Sequence, residues 1–280
     1  MRQSLAGRRA VSLRPAVQIG SPGGPYRGRE RGRSLARMRR QIVAYGGGGF
    51  SMEPGNPLLD DYVRSLCRRK RPRVCFLPSA SGDADHYVVR FYRHFHGGIC
   101  EPSHVSLFRR DCGPGDVRAH LLEQDLVYVG GGSILSLLGV WRAHGIDAHL
   151  RAAWEAGVIL CGVSAGSLCW FASGLTAYHH DPRPYHGLGL LPHSNAVHYA
   201  EEPGRRPAYH AALLSGALPA GYAASDGAAL HFVGTRLHRV VLSRPDARAY
   251  RVEAVEGAVV ERPLAADHLG EVPRISLAAA

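Results

Sequence analysis

The sequence lacks a run of about 18 consecutive apolar residues and shows no apolar core of a signal peptide. Its six cysteines include no Cys-x-x-Cys pair, and several of them lie in apolar segments. The first absence argues against a membrane-spanning or secreted protein, and the second argues against a disulfide framework or a zinc site. We therefore expect a soluble, cytoplasmic protein with buried, reduced thiols.

Acidic residues are scarce in the first forty positions, which hold eleven arginines and only Glu30. This segment supplies ten of the eleven net positive charges of the chain, so residues 41–280 are nearly neutral and need no nucleic-acid partner. Because the segment is rich in Gly, Ser and Pro without apolar periodicity, residues 1–39 are predicted to be a disordered basic extension. Three interpretations of this extension remain open: a nucleic-acid-binding tail, a transit peptide, or a dispensable segment ahead of an initiator methionine at Met38.

From residue 41, short apolar segments alternate with segments of helical periodicity. Strands are predicted at 41–45, 73–77, 104–108, 126–129, 158–161 and 221–224, and helices at 134–144, 148–156 and 205–214. Segments 228–232, 237–242, 249–255 and 258–261 alternate like strands of an antiparallel C-terminal sheet. This order predicts an α/β fold, with a mostly parallel sheet covered by helices on both faces and with C-terminal antiparallel strands.

The pentapeptide Gly162-Val163-Ser164-Ala165-Gly166 follows the apolar segment 158–161 and precedes the helix-compatible segment 167–171. A serine between two glycines at a sharp strand-to-helix turn is presented for nucleophilic attack, since the glycines remove side chains that would collide. An ordinary glycine-rich turn is the alternative, because the chain has 34 glycines. The second glycine segment, 130–132, also follows a strand and is expected at the same edge of the sheet.

A serine nucleophile needs a base and a carboxylate that orients the base. Among 16 histidines, His198 follows an apolar run that would end at the same sheet edge, and Asp226 follows another short strand. The order Ser164, His198, Asp226 differs from the Ser, Asp/Glu, His order of α/β hydrolases. If Asp226 pointed away, Asp181, Glu201 or Glu202 would be the alternatives.

No cofactor or metal is predicted. The segment His179-His180-Asp181 lacks a third ligand at suitable spacing for a metal ion. The glycine segment 46–49 lacks both the spacing of a dinucleotide fingerprint and the lysine of a P-loop.

Several motifs in order resemble the peptidase E family of serine peptidases, family S51. This family also includes cyanophycinases and shares its three-layer, flavodoxin-like fold with class I glutamine amidotransferases. The likeness spans about residues 40–240 and rests on segments 44–50, 128–133, 162–171, 187–191, 197–199 and 224–227. It implies a single peptidase E-like α/β domain over residues 40–280.

The resemblance also implies roles for individual residues. Ser164 would be the nucleophile, His198 the general base and then acid, and Asp226 its acidic partner. The backbone amides of Gly131, Gly132 and Ala165 would form the oxyanion hole. In the amidotransferases the nucleophile is cysteine, so serine points away from glutamine hydrolysis.

The chain departs from the family pattern at Ser133, Ala177, Val197 and Ala200, which puts substrate specificity in question. Peptidase E prefers dipeptides with an N-terminal aspartate, and a pocket for that carboxylate would need a cation or several donors. The candidate substrate-binding residues are Arg205, Arg206, Arg183 and Asp181.

Three hypotheses about function follow. The first is a serine peptidase that cleaves small, aspartyl peptides, and the second is a cyanophycinase-like hydrolase of β-aspartyl-arginine substrates. The third is a non-catalytic binding protein of the same fold. The expected partner is a small peptide substrate. Whether two copies of the chain form a homodimer is left open. Neither a membrane nor a nucleic acid is required.

Overall fold

The computed structural model describes residues 40–109, 113–178 and 182–270. The predictions for the extension at 1–39, and for His179, His180 and Asp181, lie outside these residues and stay predictions. Among the described residues, no helix combines the length and the apolar character needed to cross a membrane.

Five parallel strands form the centre of the larger sheet. They are β1 (Gln41–Tyr45), β2 (Arg73–Leu77), β3 (Glu101–His104), β4 (Leu126–Val129) and β5 (Ile159–Val163), arranged in the order β1-β5-β4-β2-β3. All residues of β4 and β5 are buried, which is why their sequences are continuous apolar runs. These strands place the segments after Tyr45, Val129 and Val163 at one edge.

Helices cover both faces of this sheet. They are α1 (Gly49–Met52), α2 (Leu58–Ser65), α3 (Asp85–His94), α4 (Val117–Leu122), α5 (Ile134–His144) and α6 (Ile146–Ala156). Side chains alternate along β1, so that Ile42 belongs to the core that contains Trp141, while Val43 belongs to the core that contains Phe91. The predicted α/β class with helices on both faces is confirmed.

The strands after residue 227 divide between two sheets. β10 (Ala228–Val233) and β11 (Arg236–Leu242) extend the larger sheet beyond β1, followed by β14 (Asp267–His268). The second sheet has the order β13-β12-β9-β8-β6-β7, with β6 (Phe171–Thr176), β7 (Arg183–His186), β8 (Leu191–Ala196), β9 (Gly221–Ala224), β12 (Ala249–Val255) and β13 (Ala258–Pro263). Helix α8 (Arg205–Leu214) packs on β12 and β13. The predicted C-terminal strands exist, but they do not form one sheet.

Two boundaries differ from the sequence prediction. The helix expected over 167–171 is the single turn α7 (Ala165–Leu168), because Phe171 already begins β6. The strand expected at 104–108 lies at Glu101–His104. Beyond it, the Ser106 hydroxyl and the Leu107 and Phe108 amides donate to the Asp83 carboxylate at 2.6, 2.6 and 3.0 Å, so this segment is a loop.

The cysteines are reduced where the structure describes them. Cys75, Cys100, Cys161 and Cys169 are buried and Cys67 is half-buried, and each carries a free thiol. Burial raises the pKa of Cys75 to about 12, so this thiol stays protonated. Cys112 lies outside the described residues.

Candidate active site

Ser164 occupies a strained turn between β5 and α7. Its backbone has φ 54° and ψ −115°, a conformation that residues other than glycine rarely adopt. A Cβ at Gly162 would lie 2.2 Å from the Gly166 carbonyl oxygen, and one at Gly166 would lie 2.2 Å from the Val129 carbonyl oxygen. The two glycines are therefore required for the turn to close, as the pentapeptide predicts.

Ser164, His198 and Asp226 form one hydrogen-bonded chain. The Oγ of Ser164 lies 3.0 Å from Nε2 of His198, and Nδ1 of His198 lies 2.5 Å from Oδ1 of Asp226. His198 follows β8 with φ 51°, and Asp226 lies in the turn between β9 and β10. The structure thus brings together the three residues predicted to be catalytic, from strand ends of both sheets.

The glycine segment after β1 forms the wall behind this chain. A Cβ at Gly47 would lie 1.9 Å from Oδ1 of Asp226 and 2.9 Å from Cε1 of His198. The Gly46 carbonyl accepts a hydrogen bond from the His198 amide at 3.2 Å, and the Gly47 carbonyl accepts one from the Gly227 amide at 3.1 Å. These glycines let the backbone approach both side chains, a role that sequence reasoning missed.

The second glycine segment contacts Ser164 from the β4 side. The Gly131 amide donates to the Tyr87 hydroxyl at 3.1 Å, and that hydroxyl donates to Oγ of Ser51 at 2.6 Å. Burial raises the pKa of Tyr87, so its hydroxyl keeps the proton that it donates. Among the described residues, neither the Gly132 amide nor the Ala165 amide has a hydrogen-bond partner. Of the three predicted oxyanion donors, Gly131 is therefore already engaged, and Gly132 and Ala165 are available.

Two cavities formed by described residues adjoin Ser164. The larger has a volume of about 360 Å³ and is lined by Tyr87, Ser51, Glu201 and Glu202 together with His198. The smaller, about 80 Å³, is lined by Ala165, Leu168, Val197, Glu202 and Arg205. Ser164 thus lines two cavities that share Glu202, and the larger adds the carboxylate of Glu201 while the smaller adds the guanidinium group of Arg205.

The arginine candidates occupy three different environments. Arg205 is 5% exposed, donates to the Leu175 carbonyl at 3.2 Å and pairs with Glu202, while its Nε has no hydrogen-bond partner among the described residues. Arg206 instead pairs with Glu261, and Arg183 is exposed on β7. The structure brings Arg205 to the candidate site and places Arg206 and Arg183 away from both cavities.

A serine on a strand-to-helix elbow, hydrogen-bonded to histidine and aspartate at the edge of an α/β sheet, is the arrangement of a hydrolase-type site. The model of peptidase family S51 matches residues 42–240. The chain belongs to this family and is therefore a peptidase by descent, which confirms the resemblance seen in its motifs. It is also 46% identical over 231 residues to the uncharacterized peptidase YgaJ of Bacillus subtilis (strain 168), covering 82% of this chain and 100% of that protein.

Two solved structures share the fold. A peptidase from an acI-B1 Actinobacterium superposes with a TM-score of 0.60 at 18% identity, covering 82% of this chain and 96% of that chain. A putative peptidase E protein from Listeria monocytogenes EGD-e superposes with a TM-score of 0.51 at 15% identity, covering 81% of this chain and 100% of that one. At these identities the likeness concerns the fold alone.

Proposed function

We propose that the chain is a serine peptidase that hydrolyses short aspartyl peptides through an acyl-enzyme on Ser164. The observation that carries the proposal is the hydrogen-bonded chain from Ser164 through His198 to Asp226, with separations of 3.0 and 2.5 Å. These are the distances over which a base can take a proton from a nucleophile while a carboxylate orients the base.

In the first half of the reaction, Oγ of Ser164 attacks the peptide carbonyl carbon while its proton moves to Nε2 of His198. The negative charge that develops on the carbonyl oxygen is stabilised by the amides of Gly132 and Ala165, and one such donor contributes about 3 kcal/mol. The tetrahedral intermediate then collapses, the carbon–nitrogen bond breaks, and His198 returns the proton to the leaving amine. Asp226 stays ionised and accepts the hydrogen bond from the Nδ1–H group of His198 throughout.

In the second half, water takes the place of the leaving amine. His198 accepts a proton from the water as its oxygen attacks the acyl carbon, and the same two amides stabilise the second oxyanion. Cleavage of the ester bond releases the acid, and the proton on His198 returns to Oγ of Ser164. The overall reaction consumes one water and needs no cofactor.

The preference for an acidic acyl residue rests on Arg205. A buried guanidinium group beside the nucleophile is costly unless it is paired, and its present partner, Glu202, is partly exposed. A substrate carboxylate that entered the smaller cavity could pair with Arg205 in place of Glu202. Such charge-assisted pairs favour a substrate side chain that carries a carboxylate, because a neutral side chain cannot replace Glu202 as the partner of the guanidinium group.

Replacement of Arg205 by methionine should lower kcat/KM for an aspartyl dipeptide by about 10²-fold, while hydrolysis of the alanyl analogue changes little. The matched control is Arg206→Met, the next residue of α8, whose guanidinium group pairs with Glu261. Steady-state kinetics with both dipeptides, together with the thermal unfolding temperature and an Arg205→Lys variant, separate specificity from loss of fold. Equal losses for both substrates in a folded Arg205→Met protein would exclude Arg205 as the carboxylate-binding residue.

Tyr87→Phe should lower kcat about tenfold with little change in KM, because the Gly131 amide loses its acceptor and the adjoining Gly132 amide loses its fixed orientation. Tyr92→Phe is the control on the same helix, since its hydroxyl lies 2.9 Å from Nδ1 of His104 instead. The kinetic constants of both variants are compared with those of the unmodified protein. An unchanged kcat for Tyr87→Phe would mean that this hydrogen bond does not orient the oxyanion donors.

A β-aspartyl-arginine substrate is the second candidate. Glu201 and Glu202 line the larger cavity together with His198, the residue that would protonate the leaving amine. Two carboxylates at that position favour a leaving group with a positive charge. A substrate panel that compares aspartyl-alanine, aspartyl-arginine and β-aspartyl-arginine decides between the two candidates.

A further inference from the structure

Arg244 contacts the turn that carries Asp226. It follows β11 and lies beyond residues 42–240, the segment that the family model matches. Its Nη2 donates to the main-chain carbonyl of Asp226 at 2.7 Å, and its side chain crosses Gly227, where a Cβ would lie 2.8 Å from Nε of Arg244. The guanidinium group therefore touches the peptide unit of the acidic residue and not its carboxylate.

The same guanidinium group also pairs with carboxylates of two neighbouring loops. It lies 3.4 Å from Oε1 of Glu201, in the loop after His198, and 3.3 Å from Oε1 of Glu53, directly after α1. Asp246 is the third carboxylate nearby, at 3.8 Å. Glu53 is itself fixed by Asn56, whose side-chain amide donates to it at 2.9 Å. One cation thus connects the turn of Asp226 with both neighbouring loops.

The Asp226 carbonyl depends on Arg244 for its hydrogen bond. Its other contact among the described residues is the Ser225 hydroxyl, at 3.5 Å, which is too long to be a strong hydrogen bond. A carbonyl that lost this donor would rotate toward another partner, and the carboxylate of the same residue would move with it. A displacement of about 1 Å in such a group can cost a hundredfold in rate.

We propose that Arg244 is a positioning residue, which fixes the Asp226 peptide and thereby holds the Asp226 carboxylate against Nδ1 of His198. This inference rests on the proposed function, since it concerns the activation of Ser164. Lysine at this position has one nitrogen and cannot donate to the Asp226 carbonyl while also spanning Glu53 and Glu201. Arg244 acts through Asp226 and touches none of the reacting atoms.

The test uses the full chain with Arg244→Gln, Arg244→Lys and the control Arg248→Gln. The guanidinium group of Arg248 lies in the same loop and donates to the carbonyls of Pro245 and Ala247, away from Asp226. The second-order rate constant for labelling of Ser164 by a fluorophosphonate is measured from pH 5 to 9, a range of about two units on either side of neutrality. Intact mass gives the extent of labelling, and thermal unfolding reports on the fold.

We expect Arg244→Gln to label about tenfold to hundredfold more slowly, with a changed pH profile, Arg244→Lys to be intermediate, and Arg248→Gln to match the unmodified protein. Labelling of Arg244→Gln at the unmodified rate and with the same pH profile would overturn the inference. Equal slowing in Arg248→Gln would overturn it as well, because the cause would then be the stability of the loop. If the unmodified protein did not react at all, the proposed function would fail first, and the inference with it.

Discussion

Ser164→Ala should abolish hydrolysis of aspartyl dipeptides, with kcat lowered by at least about 10⁴-fold, while the protein keeps its fold. The substitution removes the oxygen that lies 3.0 Å from Nε2 of His198, so no acyl-enzyme can form. Stability should change little, because alanine keeps the Cβ, and with it the backbone strain at φ 54°, and the loss of one oxygen leaves no large cavity. The kinetic constants and the thermal unfolding temperature of both proteins are measured in parallel.

Ser167→Ala is the control within the same elbow. Its hydroxyl accepts a hydrogen bond from Asn195 at 3.1 Å and makes none with His198. If Ser164→Ala were as active as the unmodified protein, Ser164 would not be the nucleophile. If the unmodified protein neither hydrolysed peptides nor reacted with a fluorophosphonate under conditions in which a related peptidase does, a non-catalytic binding protein would be the better hypothesis.

Local sequence patterns account for the central sheet and for the elbow. The strands at 41–45, 73–77 and 126–129 have the predicted bounds, because a strand buried on both faces must be apolar throughout and its ends are marked by turn residues. The elbow was recognisable because its two glycines are required by backbone contacts that recur wherever this turn forms.

The sequence was less informative where long-range contacts decide the structure. Strand β7, with the sequence Arg-Pro-Tyr-His, has no strong strand signal and exists because it pairs with β6. The sequence alone does not distinguish Arg205 from Arg206 as a candidate. Successive helix residues point about 100° apart, so Arg205 faces the candidate site and Arg206 faces Glu261. The partner of the Gly131 amide, Tyr87, is likewise 44 residues away in the chain.

Gly47 is the position where such a contact has the largest expected consequence. In Gly47→Ala, the new Cβ would lie 1.9 Å from Oδ1 of Asp226, although real Cβ contacts stay beyond 3.0 Å. The backbone of Gly47 does not have a positive φ, so alanine is conformationally allowed and the effect comes from the collision alone. The Asp226 carboxylate must move by about 1 Å or more, which breaks its hydrogen bond to His198.

We therefore expect Gly47→Ala to lower kcat by at least about 10³-fold, a loss comparable to removal of the orienting carboxylate itself. Gly55→Ala is the matched control, because a Cβ at Gly55 meets no atom within 4 Å. Steady-state kinetics with an aspartyl dipeptide, fluorophosphonate labelling and thermal unfolding are compared for the two variants. Gly47→Ala should still label at Ser164, but slowly, since the nucleophile remains and only its base has lost orientation. A folded Gly47→Ala protein with unmodified kcat would show that the separation between His198 and Asp226 does not govern the rate, and the role assigned to Asp226 would have to be withdrawn.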